Sequence, residues 1–441
     1  MRQMSILYKF KLLICSLFFL LLSGNIVQAM DLPKMINKTN CSQYKDLLIP
    51  AMYRAVERGD WVVTPGTLNF KYKHQDSFIE AGKNNAGKFD LSKDGNLIDK
   101  TTGKFAAYNI YSYPFPNIDL KDPKVADKIM WNFNFQIYRF MGSREHIYIQ
   151  WIDKMQGEER YIEGLDQRLY MTGRSPGQEV KNNPDKILTY EMQRVLSPMS
   201  VKGTNTMSYI YMDDKYDVCC AYVPAIRRIR QTGSASRSDP YMGTDSWIDL
   251  NYMWNGKNSS MKWKYAGEKT ILVGFSSPKM LTAKELPDGS LCRSYPYSGK
   301  HIKFGYEVPN WKGANWAPAP DSITYVPRKV WIIEQMPKDP YYNWGLHVNY
   351  VDQETYTIWY KEVYDQSGDF RIWISTFLHY ITTPSGKSNT GDFDTQLYID
   401  EKARHATTVN RSPHPESFLY IPASKISSDY FSVNNFLLLS K

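Results

Sequence analysis

The chain has 441 residues, 54 of them lysine or arginine and 45 aspartate or glutamate, for a formal net charge of +9. Spread over this length, the excess is too thin for a nucleic-acid face, which needs a dense basic stripe and a recognisable module. Aromatic residues make up 15% of the chain, with 33 tyrosines and 12 tryptophans, a composition that favours extended, half-buried sheets over helix bundles.

The first residues place Arg2, Lys9 and Lys11 ahead of an apolar run from Leu12 to Leu22, followed by the small-residue pattern Val27-Gln28-Ala29. That is the pattern of a secretory signal peptide over residues 1–29, cleaved after Ala29. The run is shorter than the roughly 20 residues a membrane-spanning helix needs. The expected product is an exported, soluble, periplasmic chain from residue 30 to 441, read as a single large domain. Loss of three basic and no acidic residues takes its charge from +9 to +6. Cys41, Cys219, Cys220 and Cys292 remain. An oxidising compartment permits bridges, but sequence does not choose among the pairings. Buried apolar thiols, or one structural bridge, are the expectation. No C-x-x-C and no paired histidines accompany these cysteines, which argues against zinc, and no cofactor is expected.

Helical signals concentrate in an N-terminal portion, about residues 42–140. Ser42 to Gly59 is one candidate, interrupted by Pro50. The segment DLSKDGNLID has the flavour of a calcium loop but lacks the acid spacing and terminal Glu of an EF-hand, so a hairpin turn is the better reading. A clearer helix is predicted to begin at Asp122-Pro123, a capping acid with proline at the first helical position. Val125, Ile129, Phe133 and Ile137 then recur every four residues and share one face. Such a stripe packs on a sheet or forms the inner face of a lid.

Further on, DDKYDVCCAYVPAIRRIR spans residues 213–230. Read as a strand, it puts Val218, Cys220 and Tyr222 on one face and Cys219, Ala221 and Val223 on the other. Both faces are mostly apolar, which predicts a strand deep in the sheet, and Pro224 ends regular pairing. If extension resumes, Arg228 and Arg230 point together and Arg227 points oppositely. The C-terminal half supplies RKVWIIEQ, GLHVNYVD, TYTIWYKEVYD and FRIWISTFLHY, joined by Asp-, Ser- and Gly-bearing turns. Short connections of this kind predict an antiparallel meander.

Seven scattered histidines form no H-E-x-x-H, and there is no G-x-S-x-G, Walker loop or dinucleotide fingerprint. A non-enzymatic role is expected. Glu334, within the apolar VWIIEQ, either needs a cationic partner, arginine being the natural one, or is a strand-end glutamate in water.

Taken together, DDKYDVCCAYVPAIRRIRQTG and SDPYMGTDSWIDL resemble segments of a proteobacterial family, domain of unknown function 1329, whose members are often labelled outer-membrane lipoprotein-sorting proteins. YSYPFPNIDLKDP, PMSVKGT, WKYAGEKTILV, DPYYNWGLHVNYVDQET and YKEVYDQSGDFRIW extend the likeness in order, from about Tyr44 to Phe418. The resemblance implies a mainly β fold with flanking helices, related to the carriers LolA and LolB. Its features would be a large, curved, incompletely closed antiparallel sheet, with helices over the concave side. It implies a carrier or chaperone for a lipid, lipoprotein or other hydrophobic molecule, associated with an RND-type (MMPL-like) exporter and an outer-membrane protein. The alternative is an assembly subunit of such an export complex with no ligand. In the carrier reading Arg227, Arg228, Arg230, Asp245, Asp249 and Glu334 are candidates for a ligand or partner rim. Tyr222, Ile129, Phe133 and Ile332 are candidates for the pocket lining. The competing reading of the arginines is an internal salt-bridge set with Asp245 and Asp249.

Overall fold

The computed structural model describes residues 31–106, 110–213, 215–232, 235–292, 302–383, 389–411 and 417–440; the expected signal peptide lies outside them. The first helical candidate divides at its proline. A 3-10 turn covers Cys41–Leu47, and helix α1 runs from Pro50 to Arg58. Proline costs nothing at this position, because the first helical N–H has no partner within the helix. Gly59, at φ 79, closes the helix, a left-handed position that glycine takes without a Cβ penalty. Helix α2 spans Asp76–Lys83. Residues 89–99 form a hairpin in which Phe89 pairs with Asp99 and Leu91 with Leu97.

Helix α3 covers Val125–Tyr138 and starts later than its sequence suggests. Asp122 does not cap it. Its side chain instead accepts from the Lys124 N–H at 2.7 Å within the preceding turn and pairs with Lys128. The apolar stripe is buried, and so are Asn132 and Gln136 beside it and Asn134 away from it. Asn132 reconciles polarity with burial by bonding both the N–H and the carbonyl of Phe115, at 3.0 and 2.7 Å. A helix buried all round is a core element and not a surface lid.

The rest is mainly β. In chain order the long strands are β1 (Gly142–Asp153), β2 (Gly157–Tyr170), β3 (Ile187–Ser197), β4 (Asn205–Tyr211), β5 (Val218–Val223) and β6 (Arg228–Thr232). They are followed by β7 (Met261–Phe275), β8 (Thr324–Pro337), β9 (Trp344–Asp352) and β10 (Ile358–Asp365). β11 (Phe370–Thr382), β12 (Asn389–Asp400) and β13 (His405–Arg411) complete the set. Each strand from β7 to β13 pairs antiparallel with the next, and so does each from β1 to β6. The two runs join through β13 and β1, from His405 opposite Asp153 to Arg411 opposite Ile147. Among the described residues, and with shorter strands, the sheet counts 17 members. It is large and incompletely closed: at one end it curls until Phe275 of β7 meets Leu378 of β11. Residues 35–441 form one compact unit, and no described helix is long and apolar enough to cross a membrane.

Strand β10 shows what covers the sheet. Ile358 to Val363 are buried on both faces, including Lys361 and Glu362. On one face the N-terminus of α1 meets the sheet, Ala51 N–H donating to Glu362 Oε1 at 2.8 Å. On the other, Lys361 lies 5.7 Å from the ring of Trp254. Trp254 belongs to a segment, residues 235–260, made of 3-10 turns with no α-helix. Helices are thus only part of the cover.

Candidate functional site

The 235–260 segment is sewn to the sheet by polar contacts. Tyr252 hydroxyl donates to Glu145 on β1 at 2.7 Å, Asn255 Nδ2 to Glu191 on β3 at 2.8 Å, and Asp245 N–H to Thr407 on β13 at 2.9 Å. Beneath it the sheet face is ionic. Arg168 on β2 pairs with Asp166 at 2.9 Å and with Glu191, its cross-strand neighbour, at 2.5 Å. Arg411 pairs with Glu145 at 2.7 Å. The Tyr252 ring lies between the two guanidinium groups, 4.4 Å from Arg168 and 4.5 Å from Arg411. All these charged groups are buried. Burial raises the Asp166 pKa while the Arg168 charge opposes the rise. Tyr252 and Met253 hold φ values of 52° and 77°, conformations non-glycine residues keep only when surrounding contacts over-determine them. A cavity of about 50 Å³ remains here, bordered by Ile147, Trp247 and Tyr398, room for water and not for an acyl chain.

A larger space opens beside this segment, where β7 begins and β8 ends with Met261 opposite Pro337. The cleft measures about 600 Å³, within the range of sites that hold small molecules. Tyr216, Met261, Pro337, Pro340 and Tyr342 contribute apolar wall. Arg237 and Asp249 are buried at its edge, joined at 2.6 Å, and Tyr342 hydroxyl donates to the other Asp249 oxygen at 3.1 Å. Lys215, Lys257 and Lys338 add positive charge. Lys257 Nζ donates to the Asp213 carbonyl at 2.6 Å and sits 3.6 Å from Asp217. Burial raises the Asp217 pKa against the pull of Arg237 and Lys257.

The residues singled out in the sequence are dispersed. Asp249 lines the cleft and takes Arg237 as its ion-pair partner. Asp245 bonds His405 at 2.7 Å and Thr407 at 2.8 Å. Burial would lower the His405 pKa, but the Asp245 hydrogen bond and charge, with Glu159, carry it above the usual value. Glu334 pairs with a lysine, not an arginine: Lys264, opposite it on β7, at 2.8 Å. Arg227, Arg228 and Arg230 are exposed on the β5–β6 hairpin. Its turn spans Pro224–Arg227, with Arg227 at φ 50. Strand β5 is mostly half-buried, Tyr222 included, and not deep in the sheet, because its outer neighbour is this charged strand. Ile129 and Phe133 are fully buried in α3. Ile332 is half-buried and alternates with buried Trp331 and Ile333. None of these four borders the 600 Å³ cleft. Cys41, Cys219 and Cys292 are buried and Cys220 half-buried.

Sequence reasoning missed Arg237, Lys257, Met261 and Tyr342. A usable signal existed for one: Arg237 precedes Asp249 by 12 residues, just ahead of the SDPYMGTDSWIDL stretch that carries family resemblance.

The profile of a family described as "Protein of unknown function (DUF1329)" matches residues 35–436. Among solved structures, similarity is found to a domain named for outer membrane lipoprotein sorting from Vibrio parahaemolyticus, at 13% identity and TM-score 0.46, covering 71% of this chain and 97% of that one. A DUF1329 family protein from Desulfovibrio piger follows at 12% and 0.44, covering 70% and 98%. A LolA superfamily protein from Nitrosomonas europaea stands at 9% and 0.40, also covering 70% and 98%. No curated protein matches.

Proposed function

The chain belongs to the DUF1329 family, and from that premise we propose that it is an exported, periplasmic, non-enzymatic carrier of an amphipathic molecule, held in the 600 Å³ cleft. The cleft is the observation that carries the reading. Tyrosine, methionine and proline give it apolar wall, while Arg237 and three lysines give it cationic groups beside the carboxylates of Asp217, Asp249 and Asp339. Small-molecule sites combine apolar wall with placed polar groups. Here Asp249 pairs with Arg237 and Asp217 lies beside Lys257. The anionic head of a lipid or lipoprotein fragment would therefore meet Lys215 and Lys338, with its apolar part on the tyrosine, methionine and proline wall. In this reading an RND-type exporter and an outer-membrane protein are the partners between which cargo moves.

A second reading, an assembly subunit without ligand, is favoured by a different observation: the 235–260 segment fills the ionic face of the sheet and leaves about 50 Å³. Native mass spectrometry of the protein purified from a producing cell separates the two. A co-purifying amphiphile that is lost in Met261→Trp, where a bulkier side chain occupies the wall, supports the carrier. A bare polypeptide mass in the unsubstituted protein supports the subunit.

A further inference from the structure

Two neighbouring hairpin connections and the distant C-terminal helix meet at one end of the sheet. The β3–β4 connection, residues 198–204, carries Met199 at 81% exposure and exposed Lys202. The β5–β6 hairpin carries Ile226 at 44%, with exposed Arg227, Arg228 and Arg230. The C-terminal helix α4, Val433–Leu438, carries Leu438 at 68%. Gly203 is the point of convergence. A Cβ there would stand 2.9 Å from the Ser440 carbonyl oxygen and 3.3 Å from Pro224 Cγ, and its φ is 83. Asn205, next along, donates to the Leu439 carbonyl at 3.2 Å and to Ser440 Oγ at 2.8 Å. The three tips are therefore held together by the fold.

Their composition is one-sided. Residues 198–204, 224–232 and 433–440 read PMSVKGT, PAIRRIRQT and VNNFLLLS, with four cationic side chains and no acid. Glu163, opposite Ser197 on the neighbouring strand, is an exposed acid at the base of the first loop. Met199, Ile226 and Leu438 project from turns and a helix end. None of the three borders the 50 Å³ cavity or the 600 Å³ cleft. Protruding apolar side chains ringed by arginine and lysine match the boundary of a bilayer. There the apolar groups enter the acyl region and the cations remain among phosphates. Nucleic acid offers the phosphates but no use for the apolar groups.

We propose that the tip formed by Met199, Ile226, Leu438 and the Lys202–Arg227–Arg228–Arg230 cluster docks the protein reversibly on a membrane surface bearing anionic headgroups. This inference does not depend on what the cleft holds.

Co-sedimentation with vesicles tests it. The purified protein is expected to bind phosphatidylcholine–phosphatidylglycerol vesicles, to leave pure phosphatidylcholine vesicles largely unbound, and to be released by salt. Arg228→Ala with Arg230→Ala should weaken binding roughly 30-fold at low salt. Met199→Ser with Ile226→Ser, with all charges in place, should weaken it as well. Each variant's thermal melt checks that the fold is retained, and because these side chains are exposed the melts should overlay. Equal binding to both vesicle types, no binding to either, or unaltered binding by both double variants would overturn the proposal.

Discussion

Arg168, Arg237 and Arg411 are buried against carboxylates, whereas Arg227, Arg228 and Arg230 stand exposed at a hairpin tip. The difference lies in what covers each strand. β1, β2 and β13 carry charges on the face that the 235–260 segment closes over. The guanidinium groups there are fixed by two-sided contact, acids on one side and the Tyr252 ring between them. The hairpin has no such cover. What ties the cover to these charges is the Tyr252 ring between Arg168 and Arg411 and the bonds from Tyr252 to Glu145 and from Asn255 to Glu191, all of which lifting the cover would break. Exposed arginines commit the fold to nothing and are free to serve an outside surface.

The comparison breaks most visibly at Arg168. Arg168→Met removes the partner of both Asp166 and Glu191 and leaves two acids in a closed space. Removing one member of a buried ion pair costs ~3–5 kcal/mol, so urea denaturation should show a loss of that size. A loss below ~1 kcal/mol would be the magnitude of an exposed pair and would mean that the 235–260 cover does not hold this face closed in solution.

Lys361 sharpens the comparison by testing a buried cation without an acid in contact. It is fully buried and its Nζ donates to Gln335 Oε1 at 3.2 Å. Burial pushes its pKa down to about 7, with Asp249 opposing. Between about pH 7 and the ordinary lysine value the unfolded chain then binds more protons than the folded one, so this group makes stability rise with pH across that window. Below pH 7 both states hold the proton and the burial cost is complete. Lys361→Met is expected to stabilise the protein by ~2 kcal/mol at pH 6, with the advantage shrinking steadily towards pH 9. Parallel pH profiles for variant and parent, read from denaturation midpoints, would contradict this placement.

Local features were legible in the sequence, and distant closures were not. The break at Pro50, the 89–99 hairpin and the β8–β11 meander each depend on a few neighbouring residues, and each is where turn chemistry and alternation put it. The start of α3 differed because Asp122 satisfied Lys124 within a turn and did not cap the helix. The ionic face was illegible for a different reason. Asp166 and Arg168 alternate with Leu165 and Leu169, as they would on a strand with one side in water. Only the 235–260 segment turns that side into interior, and its successive 3-10 turns, with Tyr252 and Met253 at positive φ, have no period to recognise. The cleft suffers doubly, since its residues come from that segment, from residues 215–217 and from one end of the β7–β8 ladder, where the start of one strand meets the end of another.

The smallest expected effect on stability belongs to the arginines that the sequence made most conspicuous. Arg228 and Arg230 point from β6 into solvent, and Asp249, one of the two acids considered as an internal partner, is taken by Arg237 at 2.6 Å. The other, Asp245, is engaged by His405 and Thr407. Removing the two arginines therefore strands no buried charge, and exposed substitutions of this type change stability by about 0.5 kcal/mol or less. Arg228→Ala with Arg230→Ala should leave the denaturation midpoint in place while vesicle binding falls. A loss approaching that of Arg168→Met would mean that the hairpin folds back onto acids and that the tip belongs to the interior network. An unchanged midpoint leaves the two sets of arginines distinct, one holding the cover in place and the other available to a surface outside the molecule.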